Sequence, residues 1–208
     1  MKKYAAEFIG TFFLVLAIGM AVIEPGAGVL TPIAIGAALM VMVYAGGHVS
    51  GAHFNPAVTL GVWLRGRCPT ADIPGYLIAQ IVAALIAAKI ALYFKGNPQL
   101  SPGDLKILPA LIAEFLGTFA LVYVILNVAT AKSTAGNSYY GLAIGFTVAA
   151  MTFAFGGVSG GVFNPAVAVG ISVMHLAKWS NFWVYLAANF AAAFLAAEAF
   201  RRLNPEDK

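Results

Sequence analysis

The 208-residue chain is 61% hydrophobic and only 10% charged, with a mean hydropathy of +0.87, far more apolar than a soluble domain. Its surroundings are therefore mostly lipid, and at roughly 20 residues per helical span the length allows six crossings and excludes an added soluble domain. The net charge of +4 comes from dispersed Lys and Arg without aromatic stacking motifs, which excludes nucleic acid as a partner, and the single Cys68 excludes an intramolecular disulfide and a Cys/His metal site.

Met1-Lys2-Lys3 and the apolar stretch behind it resemble a signal peptide, but that stretch runs to Ile23 and contains Glu7, so it is read as a retained first span over 5–23. Further spans are predicted over 29–47, 74–94, 107–129, 139–157 and 180–200, punctuated by Glu24-Pro25-Gly26, Gly96-Asn97-Pro98 and Ala135-Gly136-Asn137. Between the second and third spans, Asn55-Pro56-Ala57 opens an apolar stretch from Val58 to Arg65, ended by Gly66 and Pro69. Between the fifth and sixth, Asn164-Pro165-Ala166 opens a second, from Val167 to about Leu176. About ten helical residues reach roughly 15 Å, half of the hydrocarbon core. Six crossings put both ends on one face. Lys2, Lys3, Arg65, Arg67, Lys132, Arg201, Arg202 and Lys208 fall there, against Lys95, Lys106 and Lys178 opposite, with Lys89 near the outer end of the third span. The positive-inside rule makes the first face cytoplasmic.

The chain is written twice. Ala6-Glu7-Phe8-Ile9-Gly10-Thr11-Phe12 returns as Ala113-Glu114-Phe115-Leu116-Gly117-Thr118-Phe119, and the run from Ser50 to Val58 returns from Ser159 to Val167. Repeat one covers 1–100 and repeat two 107–208, within a single domain spanning 1–208. Each copy has three spans, an odd number, so the second enters from the opposite face and the repeat is inverted.

Asn followed by Pro is a helix-start signal, since Asn caps and a proline at the first helical position gives up no hydrogen bond. The glycines before each motif let backbone run non-helically at membrane depth, which survives only where it lines a cavity or is packed in protein. Two half-helices from opposite faces then meet start to start. If each asparagine oxygen caps its own helix, each amide NH2 is free to donate into a lumen, at the positive end of a helix dipole. Such a site welcomes a water or hydroxyl oxygen and repels a cation. The plain alternative, that Asn-Pro-Ala only caps a buried helix, does not explain two copies in inverted register.

These residues carry a resemblance over essentially the whole chain: the sequence is similar to the aquaporin, or major intrinsic protein, family, whose first signature is close to Gly47-His48-Val49-Ser50-Gly51-Ala52-His53-Phe54-Asn55-Pro56-Ala57-Val58-Thr59. The resemblance implies an all-α membrane protein with six transmembrane helices and two re-entrant half-helices in a right-handed bundle. It also implies a pore in every subunit of a homotetramer in the plasma membrane, and no cofactor. Pore-lining roles then fall to Asn55, Pro56, Ala57, Asn164, Pro165 and Ala166. Glu7 and Glu114, which as intramembrane carboxylates otherwise suggest a proton relay, become acceptors for the backbone of the re-entrant loops. By offset from the two asparagines, the narrowest ring falls on Ile35, Thr152, Gly161 and Val167. Water-selective members have phenylalanine, histidine and arginine among these four, and all three are absent here.

Other positions lean towards water: Ala168 and Ser172 stand where glycerol-conducting members carry an acid and a base, and Phe182-Trp183 resembles a water-type aromatic pair. His48 and His53 flank the first loop, as a pH gate or as hydrogen-bonded loop histidines. His175 and Trp179 look like interface residues, Gln80 and Asn189 like bridges between helices, and Gly141 and Gly145 form a small-xxx-small face. The reading is a passive channel for water and small uncharged solutes that largely excludes ions. The alternatives are a relaxed-filter facilitator for glycerol, urea or metalloid hydroxides and, less favoured, a secondary transporter. A transporter needs coupling-ion ligands near the midplane, and no Asp or Glu adjoins either Asn-Pro-Ala.

Overall fold

A computed structural model describes residues 1–207; Lys208, counted above with the cytoplasmic charges, lies outside the described residues. Helices run over Lys2–Val22 (α1), Thr31–Ser50 (α2), Pro56–Leu64 (α3), Ile73–Phe94 (α4), Ile107–Ile125 (α5), Tyr140–Ser159 (α6), Pro165–Val173 (α7) and Phe182–Leu203 (α8). The six long ones are apolar and long enough to cross a bilayer. Helix α5 continues through a wide, five-residue π turn, Leu126–Thr130.

The half-helices α3 and α7 have nine residues each, roughly 14 Å. Both end in the same motif, in which an N–H returns to the carbonyl five residues back: Arg67 to Val62 at 3.0 Å, and Leu176 to Ile171 at 2.9 Å. This motif needs a left-handed residue. Gly66 supplies it at φ +80° and His175 at φ +56°. The second half-helix therefore stops three residues before Leu176, at a histidine that gave no sequence signal of a stop.

In repeat one α1 packs against α2 and α4; in repeat two α5 packs against α6 and α8; α2 and α6 cross between the repeats. The half-helices are exchanged, α3 lying on α8 and α7 on α4. Small residues permit this. A side chain at Gly61 would begin 2.6 Å from Val122, and one at Gly170 would begin 2.6 Å from Val15. Ala84, Ala88 and Ala91 on α4, and Ala193 and Ala197 on α8, are fully buried on the facing surfaces. Gly36 and Gly145 meet backbone to backbone where α2 crosses α6. The face that carries both chain ends is laced by ion pairs, Lys3 with Asp72 and Arg65 with Asp207. Asp207 also accepts the Lys132 N–H of the segment joining α5 to α6 at 2.7 Å.

The repeated Glu-Phe-x-Gly motif has a packing purpose. Gly10 and Gly117 lie beneath the rings of Phe54 and Phe163, and a side chain at either would begin 2.1 Å from a ring carbon. Overfilling a packed core costs about 1–3 kcal/mol. Gly117→Ala is expected to lower the thermal unfolding midpoint in detergent, whereas Gly157→Ala, with no atom in the way, leaves it within error.

Candidate pore site

The chain between α2 and α3, and between α6 and α7, passes through left-handed backbone at Gly51, Ala52 and Phe54 and at Gly160, Gly161 and Phe163. Such backbone leaves N–H groups without helical partners, and a buried orphan costs about 1–3 kcal/mol. Glu7 supplies partners in repeat one. One of its oxygens accepts from Ser50 Oγ at 2.7 Å and the His53 N–H at 2.9 Å, the other from the Phe54 N–H at 2.7 Å and Gln80 Nε2 at 2.8 Å. Glu114 does the same in repeat two, with Ser159 Oγ at 2.7 Å and the N–H groups of Val162 at 2.9 Å and Phe163 at 2.7 Å. Both carboxylates are fully buried. Because the peptide is trans, N–H groups held towards the glutamates turn the carbonyls of the same peptides the other way. Tyr76 and Tyr185 close each loop by donating to the Ser50 and Ser159 carbonyls.

Each asparagine caps the half-helix it opens. Asn55 Oδ1 accepts from the Ala57 N–H at 2.8 Å and Asn164 Oδ1 from the Ala166 N–H at 2.9 Å, with Pro56 and Pro165 at the first helical position. The amide nitrogens differ from expectation. Asn55 Nδ2 donates to the Phe163 carbonyl at 2.9 Å and Asn164 Nδ2 to the Phe54 carbonyl at 2.8 Å. Each amide thus has one hydrogen left for a solute, not two. Ala57 and Ala166 are fully buried against the facing helices.

Two cavities meet here. One, of about 300 Å³, opens on the face away from the chain ends and is lined by Asn55 and Asn164 among mostly apolar side chains. The other, of about 720 Å³, opens on the face of the chain ends. His53, Ile125 and Ile144 line both. His53 Nδ1 is 3.1 Å from Thr59 Oγ1, so the ring is a hydrogen-bonded loop residue. His48 lines only the larger cavity.

Of the four ring positions, Ile35, Gly161 and Val167 line the smaller cavity. Thr152 does not. Its Cα and methyl lie 3.3 Å from where a side chain on Gly161 would begin, and its hydroxyl is buried with no partner. Helix α6 instead presents Ile144 and Val148, two and one turns earlier. Those two, with Leu39, Leu121 and Ile171, are lining residues that offset counting missed; the only sequence signal for them was their place on one helical face. At the mouth of the smaller cavity Asp104 and Lys178 pair at 2.6 Å. Lys178 holds the Asp104 carboxyl below the usual range by hydrogen bond and charge.

The geometry around Glu114 generates a test. Glu114→Gln places an NH2 where the carboxylate accepts N–H groups, so at least one donor faces a donor. A loss of about 1–3 kcal/mol is expected, together with a displaced loop and at least a tenfold fall in water permeability of reconstituted protein. Gel filtration and stopped-flow light scattering on the same preparation measure both.

The sequence profile of the family described as Major intrinsic protein matches residues 1–200. Aquaporin NIP1-4 of Oryza sativa subsp. japonica is 41% identical over 96% of this chain and 76% of its own length. Glycerol uptake facilitator protein-like 6 of Lactiplantibacillus plantarum is 38% identical over the whole of both chains, and Nodulin-26 of Glycine max is 34% identical over the whole of this chain and 80% of its own. Among solved structures, the aquaglyceroporin from Plasmodium falciparum superposes with a TM-score of 0.80 at 21% identity, covering 95% of this chain and 93% of that one. With six spanning helices, two half-helices and a family match over residues 1–200, the chain belongs to the major intrinsic protein family, the channels for water and small neutral solutes.

Proposed function

We propose that solutes pass between the two cavities across the paired starts of α3 and α7, with Asn55 and Asn164 as the donors and Ile35, Gly161 and Val167 as the lining of the narrow part. The observation that carries this reading is the remaining amide hydrogen on each asparagine, held by a cap on one side and a cross-repeat bond on the other. Two fixed donors at the positive ends of two helices suit the oxygen of a neutral solute and oppose a cation, an effect already known for aquaporin half-helices. Glu7 and Glu114 hold the loops: every contact of Glu7 is with a donor, so carrying a proton would break one of its bonds. The carboxylates that reach the half-helix starts, Glu7 and Glu114, are taken up by loop N–H groups, which supports passive flux. In this reading the protein is a homotetramer in the plasma membrane with both ends in the cytoplasm.

The same lining favours a filter that passes solutes larger than water. Ile35, Gly161 and Val167 bring no charge and no side-chain donor to the ring, and Gly161 brings no side chain at all. Names among the relatives point the same way, since one is a glycerol uptake facilitator-like protein. Glycerol, urea and uncharged metalloid hydroxides such as boric or arsenous acid are the proposed solutes beside water.

The test is Val167→Arg. A guanidinium there would fill the ring, and at about 5 Å and an effective dielectric near 20 would add roughly 3 kcal/mol against a cation. Flux of glycerol, urea and boric acid in proteoliposomes is expected to fall at least tenfold, and water flux by less than threefold. Wild type that rejects every solute larger than water, or an arginine variant that conducts them unchanged, overturns the wide filter. Asn55→Leu and Asn164→Leu are each expected to reduce water flux at least tenfold in folded protein; unchanged flux in both overturns the donor assignment.

A further inference from the structure

The charges facing the two cavities are distributed unequally, and the difference falls where a channel without an arginine in its ring needs a barrier. The cavity away from the chain ends is lined by one acid and one base, Asp104 and Lys178, and these neutralise each other at 2.6 Å. The cavity on the face of the chain ends is lined by Arg67 and Lys132 with no carboxylate among its described lining residues. The nearest acid, Asp207, is already engaged: one oxygen lies against the buried Arg65 guanidinium at 2.5 Å, and the other accepts the Lys132 backbone N–H at 2.7 Å. Arg67 is 3.7 Å from the first of these oxygens. Arg65 and Arg67 thus share the Asp207 carboxylate, whereas Lys132 meets it only through its backbone N–H, and its ammonium has no salt-bridge partner among the described residues.

We infer that Arg67 and Lys132 form a cation barrier at the mouth that carries the chain ends, doing in a wide vestibule what an arginine does in a narrow ring. This rests on the pore reading given above. A vestibule with low-dielectric walls focuses the field of the charges around it. Two unit charges, if a passing monovalent cation came within about 6 Å of both, would reduce its local concentration roughly tenfold even at the dielectric of water. The barrier adds to that of the two helix starts, which lie deeper and have the same sign. It leaves neutral solutes untouched and favours anions over cations in whatever ion leak remains. Because the mouth is wet and open, the barrier is screened by salt, unlike a charge buried in a constriction.

The test uses reconstituted full-length protein, with potassium and chloride as probes and water permeability of the same vesicles as the control for folding. Arg67→Gln with Lys132→Gln is expected to raise potassium leak about tenfold, and Arg67→Glu with Lys132→Glu further, with chloride leak falling and water permeability within about twofold of wild type. Water-conducting double variants that reject potassium as wild type does overturn the inference. If the double variants lose water flux, the decision passes to wild type alone. Raising ionic strength to about 1 M, where the screening length is near 3 Å, at fixed potassium activity should raise potassium leak several-fold. Leak unchanged by salt overturns the barrier. Wild type that conducts no water sinks the pore reading itself, a different result from any potassium measurement.

Discussion

Backbone that leaves a helix inside a bilayer must find partners for its N–H groups within the protein, and the structure depends on how two buried glutamates meet that demand. Glu7 and Glu114 gather a serine hydroxyl and two successive backbone N–H groups each. Holding these N–H groups towards the glutamates turns the carbonyls of the same peptides the opposite way. The phenylalanine before each asparagine is clamped over a glycine three residues beyond the glutamate. A single turn of α1 or α5 therefore supplies both the electrostatic anchor and the space for the ring.

The spans and both half-helices were legible because their signals are local. An apolar run of sufficient length, an Asn-Pro pair and a glycine-rich approach each act within a few residues. The glutamate role came with the resemblance to the aquaporin family, and the equivalent places of the two acids in the repeat agreed with it. What sequence could not give were distances across the bundle. The second hydrogen of each asparagine amide goes to a carbonyl more than a hundred positions away in the chain. Thr152 does not line the smaller cavity and lies against Gly161; counting back from Asn164 finds the turn of α6 but not the direction of the side chain. His175 ends α7 in a conformation that histidine adopts rarely, so the early stop had no compositional mark.

The two repeats are equal in frame and unequal in the polar contacts buried behind their loops. His53, Thr59 and Gln80 of the first correspond to Val162, Ala168 and Asn189 of the second, counted from the asparagines and along α4 and α8. In repeat one the three polar groups join, with Gln80 Nε2 and His53 Nδ1 both 3.1 Å from Thr59 Oγ1. In repeat two the shorter Asn189 turns to its own neighbours, with its oxygen placed to accept the Asn164 N–H at 2.9 Å. Thr59, Gln80, Ala168 and Asn189 are fully buried and line neither cavity, so the two halves differ in the polar contacts buried behind the loops, although the backbone on both sides follows the same path.

The exchange of half-helices, α3 onto α8 and α7 onto α4, bears on how such a chain arose. Neither half can bury its own re-entrant segment, so a half-length protein would be incomplete alone. Two identical halves inserted in opposite orientations would complete each other, each lending its short helix to its partner's last long one. The contacts of Gly61 with Val122 and of Gly170 with Val15 would then be one contact repeated by symmetry. Joined in one chain, the two copies are free to differ, and they do so in the polar groups behind their loops while keeping the same exchange of short helices.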